Sequence, residues 1–592
     1  LAVTAPPGRA AGAAIDRLAE DVGALRGLVG AGGSNNWAIS AERTATGRPL
    51  LANDPHLGPT LPPFWYLAHL RTPEWELAGA SVVGAPGIHV GHNDVAAWGI
   101  TNGGADVSDV FVEEIWEDGR SVREGDELVE CQVVEEEIAV RGGDAVVERV
   151  LITRRGPIVT PALEDGLPAI SFRAVGLEAH PLEWTLRADT FRSFDAFRAA
   201  TVGAPFPPSN MVYADTSGTI GWQFSGLVPR RERGAGLLPR RGADAGAGWE
   251  DGYVAAEEMP WVADPHTGWV ATANNKPVAD GDAPWLGADW MDGYRIQRIA
   301  DVLGARDDWD LEACLALQLD RHSLPWEELR ALVLGAPRAD PRARRGAELL
   351  EGWDGEVGPR STPAAVFELF LAELTVRAAR ARAPRSVEWA LGKGLNPLVP
   401  YTYVSLRWVG HLVRLVRSRA DGWFAEGWDA AIADALAAAV ERLERNGGAP
   451  EWGQVRPLTL RHPLGARKPF DRVFDLGPIP WGGDANTVAQ ASNAPLDPTG
   501  DPLFIGTLRA AMDVGSGTNA ASSSPAASPE TPARATTTTS GSAGARERRS
   551  RCRSARRPWR GRPGRPSGWS RRTGNRPVAV RAPSRVETRA LG

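Results

Sequence analysis

The sequence predicts an α+β fold, because strand patterns come first, helical patterns follow and a mixed region ends the body. Residues 80–102 read as short strands broken by Gly and Pro, and residues 127–140 and 148–160 read as paired strands. Residues 310–450 are mostly helical in pattern, with long stretches rich in Ala and Leu. With 592 residues, of which 43% are hydrophobic, the chain has enough apolar sequence to bury a sizeable core.

Three parts are predicted along the chain. Residues 1–33 contain a helical pattern from Ala11 to Leu28 and end in a Gly-rich linker. Residues 34–516 form the folded body, which contains both the strand and the helical patterns. Residues 517–592 are rich in Arg, Ser, Pro and Ala and are predicted to be a disordered tail.

Composition excludes several classes of protein. The three cysteines, Cys131, Cys314 and Cys552, are too scattered for a disulfide framework or a zinc site. No apolar run reaches the roughly 18 residues that a membrane-spanning helix needs. No signal-peptide pattern is present, so the sequence leaves the cellular compartment open.

Charge is distributed unevenly between the body and the tail. The chain has a net charge of −7, whereas residues 517–592 contain 17 Arg, 3 Glu and no Lys or Asp, a net charge of +14. Residues 1–516 therefore carry a net charge of −21 by subtraction. A basic tail on an acidic body is one pattern of a nucleic-acid-binding arm.

A serine stands where flexible sequence gives way to a strand pattern, in "VGAGGSNNWAIS" at residues 29–40. Taken alone, Ser34 reads as a helix N-cap or a linker residue. Three further stretches favour a different interpretation. They are "NDPHLG" with His56, "WGITNGGADVSD" with Asn102, and "GWVATANNKP" with Asn274.

Together these stretches resemble the penicillin acylase family of N-terminal-nucleophile hydrolases, which includes penicillin, cephalosporin and acyl-homoserine-lactone acylases. The resemblance covers residues 34 to about 516 and includes, in order, "SNNWA", "NDPHLG", "GAPGIHVGHN", "AWGITN", "YADTSGTIGW" and "GGDANTV". It implies a four-layer αββα sandwich with a helical insertion at about 310–450. It also implies an amidase activity on carbon–nitrogen bonds of linear amides.

The resemblance implies that the chain itself cleaves the Gly33–Ser34 bond, which makes Ser34 a new N-terminus. A serine hydroxyl needs a nearby base to act as a nucleophile. The freed α-amino group has a reference pKa of about 7.7–8.0 and can be that base, usually through a water molecule. Activity is therefore expected to begin only after cleavage.

Two asparagines match the oxyanion hole of the family. Asn102 would donate its backbone N–H and Asn274 its side-chain amide. Without the family, Asn274 reads as a turn residue before Lys276 and Pro277. Arg295, in "GYRIQRI", matches an arginine that supports the oxyanion-hole asparagine, and its alternative is an ordinary surface ion pair.

His56 matches the histidine that hydrogen-bonds the nucleophilic serine in the cephalosporin and lactone acylases, although a lone His is often a structural hydrogen-bonder. Asp106, Ser108 and Asp109 match a calcium-binding segment, in which alternating carboxylate and backbone oxygens suit a hard cation. The family takes one further calcium ligand from its α segment. No organic cofactor is implied.

The family also implies two partners. One is a small acyl amide substrate, such as a β-lactam or an N-acyl compound. The other is an α segment longer than residues 1–33, expected from the same precursor or from a separate chain. Neither a nucleic-acid partner nor a membrane span is expected.

The composition of residues 517–592 is that expected when a gene is translated in the wrong reading frame. The chain contains 63 Arg and 3 Lys, which indicates a GC-rich gene. Reading one base earlier from Gly517 allows "WDECRFVLPGGQSGNPCSRHYDDQ", which resembles the family's C-terminal block. A one-base deletion near the Ser516 codon would therefore make the Arg-rich tail accidental. The alternative to a working acylase is an inactive, truncated and frameshifted remnant of one.

Overall fold

The architecture is that of a mixed α+β protein built around two antiparallel β-sheets. The computed structural model describes residues 32–516 except 160–168, 182, 206, 245, 250, 283, 397–398, 402–406, 446 and 448–449, with the backbone alone at 394–396, 399–401, 518–522 and 535–538. All of these residues belong to one unit, Leu1–Ser540.

The strands are numbered along the chain. They are β1 Ser34–Ile39, β2 Leu50–Leu57, β3 Trp65–Arg71, β4 Glu76–Val82, β5 Val90–Asn93, β6 Ala96–Asn102, β7 Ser108–Glu113, β8 Ser121–Glu124, β9 Glu127–Glu130, β10 Gln132–Ile138, β11 Val146–Thr153, β12 Gly156–Pro157, β13 Ala169–Ala174 and β14 Ser209–Asp215. The remainder are β15 Ile220–Ser225, β16 Arg240–Arg241, β17 Trp261–Ala263, β18 Trp269–Thr272, β19 Lys393–Asn396, β20 Val399–Tyr401, β21 Leu458–Leu460, β22 Leu476–Ile479, β23 Ala491–Ser492, β24 Phe504–Gly506, β25 Arg509–Asp513, β26 Thr518–Ser522 and β27 Ala535–Thr538.

The helices are concentrated in the second half of the chain. The α-helices are α1 Phe194–Thr201, α2 Tyr294–Gly304, α3 Leu311–Leu317, α4 Leu324–Leu334, α5 Pro341–Leu350, α6 Thr362–Arg382, α7 Val387–Ala390, α8 Val409–Ser418, α9 Gly427–Arg445, α10 Trp452–Val455 and α11 Asp471–Phe474. A 3₁₀-helix at Glu183–Thr190 precedes α1.

The two large sheets contain most of the sequence motifs. Sheet I has the strand order β18-β1-β2-β25-β26-β27, and β24 also pairs with β2. Sheet II has the order β17-β15-β14-β6-β5-β4-β3. Every pairing within these two sheets is antiparallel.

The two sheets pack face to face because alternate residues of their strands are apolar and buried. Ala38 and Leu51 of sheet I belong to the same core cluster as Ala97 and Val212 of sheet II. Polar side chains also bridge the two sheets; for example, Asn53 donates to Ile100 O at 3.1 Å and accepts from Ile100 N at 3.1 Å. Strand β1 therefore lies against sheet II with its first residue, Ser34, at the end of the interface.

Helices cover the outer face of each sheet. Trp37 and Ile39 point away from sheet II and pack on Ile299 of α2 and Leu317 of α3. On the outer face of sheet II, Trp98 of β6 and Tyr213 of β14 pack against aromatic residues of the 3₁₀-helix, of α1 and of the turn between them. The members of this aromatic cluster are Trp98, Trp184, Phe191, Phe194, Phe197 and Tyr213. This arrangement follows the period-two alternation of strand side chains.

Helices α4, α5, α8 and α9 form a separate core around α6. Ser361 caps α6 by accepting a hydrogen bond from Ala364 N at 3.1 Å, and Pro363 stands in the first turn. Most of α6 is apolar and buried on all sides, as expected for a central helix. The helical pattern predicted at 310–450 is therefore confirmed in the described residues, whereas the one predicted at residues 11–28 lies outside them.

Sheet I continues past Ser516, the predicted end of the folded body. The backbone of Thr518–Ser522 pairs with β25, and that of Ala535–Thr538 pairs with β26. These short segments of the tail are strands because β25 offers an edge with which they can pair. None of the helices in the described part of the chain combines the length and the apolar character needed to cross a bilayer.

Candidate active site

Ser34 is the first residue of β1 and lies at the centre of a buried polar cluster. It is 5% exposed and pairs directly with Pro55 of β2. The Gly33–Ser34 peptide group is also fixed in place, because Gly33 O accepts a hydrogen bond from His56 N at 2.8 Å. The Ser34 hydroxyl donates to the same Gly33 oxygen.

The space around Gly32 and Gly33 is narrow. A Cβ atom at Gly33 would lie 1.9 Å from Gln490 Oε1, and one at Gly32 would lie 1.9 Å from His56 O. No side chain can replace either hydrogen without moving β2 or Gln490. The glycines before Ser34 thus let the chain pass through a narrow gap.

Asn274 connects Ser34 to Asn102 across the sheet interface. Asn274 Oδ1 accepts from Ser34 N at 2.6 Å, and Asn274 Nδ2 donates to Asn102 O at 2.9 Å. Asn274 follows β18 and Asn102 ends β6, so one strand of each sheet delivers one asparagine. Three residues that are far apart in sequence therefore meet at one point.

Arg295 fixes the same cluster from helix α2. It is 1% exposed, and its Nη1 atom donates to Ser34 O at 2.9 Å and to Asn35 Oδ1 at 2.8 Å. Its Nη2 atom donates to Asn274 Oδ1 at 3.0 Å. The surface position considered from the sequence is wrong, since Arg295 is buried.

His56 lies beside this cluster but does not contact the Ser34 hydroxyl. Its Nε2 atom is 2.7 Å from Asp54 Oδ2, and its Nδ1 atom is 2.9 Å from Gln490 Oε1. Both ring nitrogens therefore have other partners in the described, uncleaved chain. The hydrogen bond from His56 to the Ser34 hydroxyl that the resemblance implies is therefore not formed in the uncleaved chain, and it stays a prediction for the matured protein.

Strand geometry explains the difference. Successive side chains of a strand alternate between the two faces of the sheet. Because Ser34 stands opposite Pro55 in the register, His56 belongs to the other face, together with Asn35 and Asp54. That face packs toward helices α2 and α3.

A buried polar network surrounds His56. Asp54 is fully buried and accepts from Asn35 Nδ2 at 3.1 Å as well as bonding His56. Burial raises the pKa of Asp54, and the nearby His56 and Arg509 oppose that shift. Asn35 Nδ2 also donates to Val488 O at 2.9 Å, so β1 is tied to the segment that contains Gln490.

Sequence reasoning assigned no role to three members of this network. Asn35 and Asp54 stand inside the motifs "SNNWA" and "NDPHLG", next to residues that were assigned. Gln490 comes two residues after "GGDANTV". A strand register would have placed Asn35 and Asp54 together, whereas no local pattern indicates that Gln490 reaches His56.

The predicted calcium segment begins at Asp106, four residues beyond Asn102 in sequence. Ser108 N lies 3.4 Å from Asp106 Oδ1, and Asp109 is 2% exposed. Burial is the main cause that raises the pKa of Asp106 to about 6. A buried arginine, Arg231, contacts both carboxylates, at 3.4 Å for Asp106 and 2.9 Å for Asp109.

Two relatives match most of the chain. The chain is 32% identical over 528 residues to penicillin acylase 2 proenzyme from Pseudomonas sp. (strain SE83), which covers 86% of this chain and 65% of that protein. It is 30% identical over 565 residues to acyl-homoserine lactone acylase QuiP from Pseudomonas aeruginosa, which covers 85% of this chain and 64% of that protein. The chain thus spans less than two thirds of the length of either relative.

Among solved structures, a thermostable penicillin G acylase from Alcaligenes faecalis matches with a TM-score of 0.61 and 20% identity, covering 83% of this chain and 90% of that chain. At this identity the likeness supports the fold alone. A family model described as penicillin amidase matches residues 3–546. That match, together with the two relatives, shows that the chain belongs to the penicillin amidase family.

Proposed function

We propose that this protein is a self-processing amide hydrolase that removes the acyl group from a small amide through an acyl-enzyme on Ser34. The observation that carries the proposal is the meeting of Ser34, Asn102, Asn274 and Arg295 in one buried cluster. Family membership supports the class of reaction. The cluster supports the assignment of individual roles.

Maturation is proposed to begin at the Gly33 carbonyl. The Ser34 hydroxyl attacks the Gly33 carbonyl carbon, and the oxygen that becomes negative is already hydrogen-bonded to His56 N at 2.8 Å. The Gly33–Ser34 C–N bond then breaks and the Ser34 nitrogen takes up a proton, which leaves an ester. Water hydrolyses the ester and frees both the hydroxyl and the amine of Ser34.

In the matured protein the freed amine is the proposed base. It accepts the proton of the Ser34 hydroxyl, directly or through water, as the hydroxyl attacks the acyl carbon of the substrate. The proton passes to the leaving nitrogen as the amide bond breaks, and water then releases the acid from the ester. A neutral amine is available near pH 8, because the reference pKa of an α-amino group is about 7.7–8.0.

Asn274 suits the oxyanion role because an amide nitrogen carries two hydrogens. One of them donates to Asn102 O at 2.9 Å, which fixes the orientation of the side chain. The other is proposed to donate to the substrate oxyanion, beside the backbone N–H of Asn102. Arg295 holds the oxygen of the same amide at 3.0 Å and so prevents the group from turning over.

The layers around the cluster fit the architecture that the family implies. Helices α2 and α3, sheet I, sheet II and the aromatic cluster with α1 follow one another through the molecule. We propose that they correspond to the four-layer αββα sandwich of N-terminal-nucleophile hydrolases. Helices α4 to α9 are then the predicted insertion.

The substrate is proposed to be an N-acyl compound or a β-lactam with an acyl side chain. The relatives support this class by name, as penicillin and acyl-homoserine-lactone acylases. A panel of amides with aromatic, glutaryl and long-chain acyl groups tests the choice among them. Release of the free acid from any one of these amides measures the activity.

The first prediction concerns Ser34. We expect Ser34→Ala to leave a single uncleaved chain, because the attacking oxygen is gone, while Ser34→Cys still cleaves but hydrolyses amides poorly. Ser40→Ala, just beyond the other end of β1, is the matched control and should mature normally. Intact-mass spectrometry reads the outcome, and cleavage after Gly33 in Ser34→Ala would refute the mechanism.

A further inference from the structure

Asp106 and Asp109 face a buried guanidinium. The Arg231 side chain is 1% exposed, and its Nη1 atom lies 2.9 Å from Asp109 Oδ1 and 3.4 Å from Asp106 Oδ2. Its Nη2 atom donates to the backbone oxygen of Asp106. Trp249 Nε1 donates to Asp109 Oδ2 at 2.6 Å, so both carboxylate oxygens of Asp109 have protein donors.

These contacts do not suit the calcium ion that the family resemblance implies. Calcium takes about six to eight oxygen ligands at roughly 2.3–2.6 Å. An ion bound by the Asp109 carboxylate would lie next to the positive charge of Arg231, and like charges repel strongly at a buried site. Within the described residues, no group of three or more His, Cys, Asp or Glu side chains is arranged to hold a metal ion.

Little space remains around the carboxylates of Asp106 and Asp109 and the guanidinium of Arg231. A Cβ atom at Gly236 would lie 2.4 Å from Asp109 Oδ1 and 2.5 Å from Arg231 Nη1. Gly236 has a φ of +88°, a conformation that favours glycine. The loop after Arg231 therefore folds directly over the carboxylates and the guanidinium.

We propose that the guanidinium of Arg231 replaces a bound cation at Asp106 and Asp109 and holds this segment without calcium. An arginine is charged at every relevant pH, and its planar fork can bond several oxygens at once. Here it joins two carboxylates and one backbone carbonyl. The protein thus supplies internally the positive charge that a calcium ion would otherwise provide.

Calcium binding and thermal unfolding of the full chain test the proposal without any activity assay. We expect the melting temperature of the wild type to be the same in EDTA and in calcium chloride, and calorimetry to detect no stoichiometric binding of calcium. Arg231→Ala leaves the buried carboxylate of Asp109 and the partly exposed carboxylate of Asp106 without their cation. Its melting temperature in EDTA should fall by about 5 °C and recover by about 3 °C or more when calcium is added.

Two variants serve as controls. Arg231→Lys keeps a positive charge at the site and should remain insensitive to calcium. Arg233→Ala removes an exposed arginine of the same loop, which pairs with Asp280 at 2.6 Å, and should behave as the wild type does. Neither control should gain calcium binding.

Both the wild type and the Arg231→Ala variant can overturn the proposal. Stoichiometric calcium binding by the wild type would overturn the proposal, and so would an Arg231→Ala variant that folds but gains no response to calcium. If Arg231→Ala does not fold, Arg231→Lys decides, because a calcium-dependent melting temperature in that variant would also contradict the replacement.

Discussion

At the scale of single residues, Asn274 links three features of the site. Its φ of +61° places it in the left-handed region, which asparagine tolerates better than most residues. This backbone conformation turns the chain after β18 so that the side chain reaches both Ser34 and Asn102. A residue that reads as a simple turn former is therefore also the one that orients the proposed nucleophile.

Replacing Asn274 tests its role in the reaction. We expect Asn274→Ala to lower kcat by about 10²–10³ with a smaller change in KM, because the lost donor acts on charge that forms in the transition state. Asn274→Gly should lose as much, which separates the missing amide from the backbone strain that alanine brings at positive φ. Steady-state kinetics on the matured protein give both constants.

The neighbouring Asn275 is the matched control. Its side chain caps the same turn by accepting from Ala273 N at 3.0 Å and does not reach Ser34. Asn275→Ala should therefore leave kcat within a few-fold of the wild type. An effect of Asn274→Ala on KM alone would show that the amide only binds substrate.

At the scale of elements, helix α6 carries a buried acid that no sequence pattern singled out. Glu368 is 6% exposed and lies close to Asp484, which is itself 2% exposed. Burial is the main cause that raises the pKa of Glu368, and the charge of Asp484 adds to it, while Arg456 opposes it. Glu368 therefore retains its proton in the folded protein at pH values where an ordinary glutamate has lost it.

This shift predicts how stability depends on pH. A carboxyl group with a pKa higher in the folded than in the unfolded chain adds stability at low pH, and that contribution is lost as pH rises toward the folded pKa. The free energy of unfolding falls by about 1.4 kcal/mol for each pH unit between the two values. Glu368→Gln, which imitates the protonated acid, should melt at a higher temperature than the wild type at pH 8.

The difference in melting temperature between Glu368→Gln and the wild type should be smaller at pH 5, because protonating the wild-type acid costs less free energy at that pH. Glu373→Gln is the control from the same helix, since Glu373 lies 3.5 Å from Arg442 and is partly exposed. It should change the melting temperature little at either pH. Equal stability of Glu368→Gln and the wild type at pH 8 would contradict the assigned protonation.

At the scale of the whole molecule, the sequence predicted the α+β class and indicated which distant motifs lie close together. It predicted less well which individual side chains of those motifs contact one another. Ser34 and Asn274 meet although 240 positions separate them, as the family motifs implied. His56 could not be placed on the correct face from its motif, since that depends on the register of β1 and β2. Arg231 could not be linked to Asp109, because the pairing is set by loop packing and not by any periodic pattern.

The C-terminal part of the gene offers a prediction that needs no protein. We expect resequencing to show one additional base near the Ser516 codon, which would restore "LPGGQSG" and replace the Arg-rich sequence. We expect this because residues 517–592 contain 17 Arg and no Lys, a composition typical of a GC-rich gene read out of frame. A read that confirms the present frame, with a soluble product that matures and hydrolyses amides, would show the tail to be dispensable.

The hydrogen bond from His56 N to Gly33 O has a further consequence for timing. If the chain is cleaved after Gly33 as proposed, a carboxylate forms at that oxygen, beside the same donor and against Gln490. Under that mechanism the cut leader is the first product that the site has to release, before any acyl amide can bind. Bond breakage and the onset of turnover are then two separate events, and leader departure sets any lag between them.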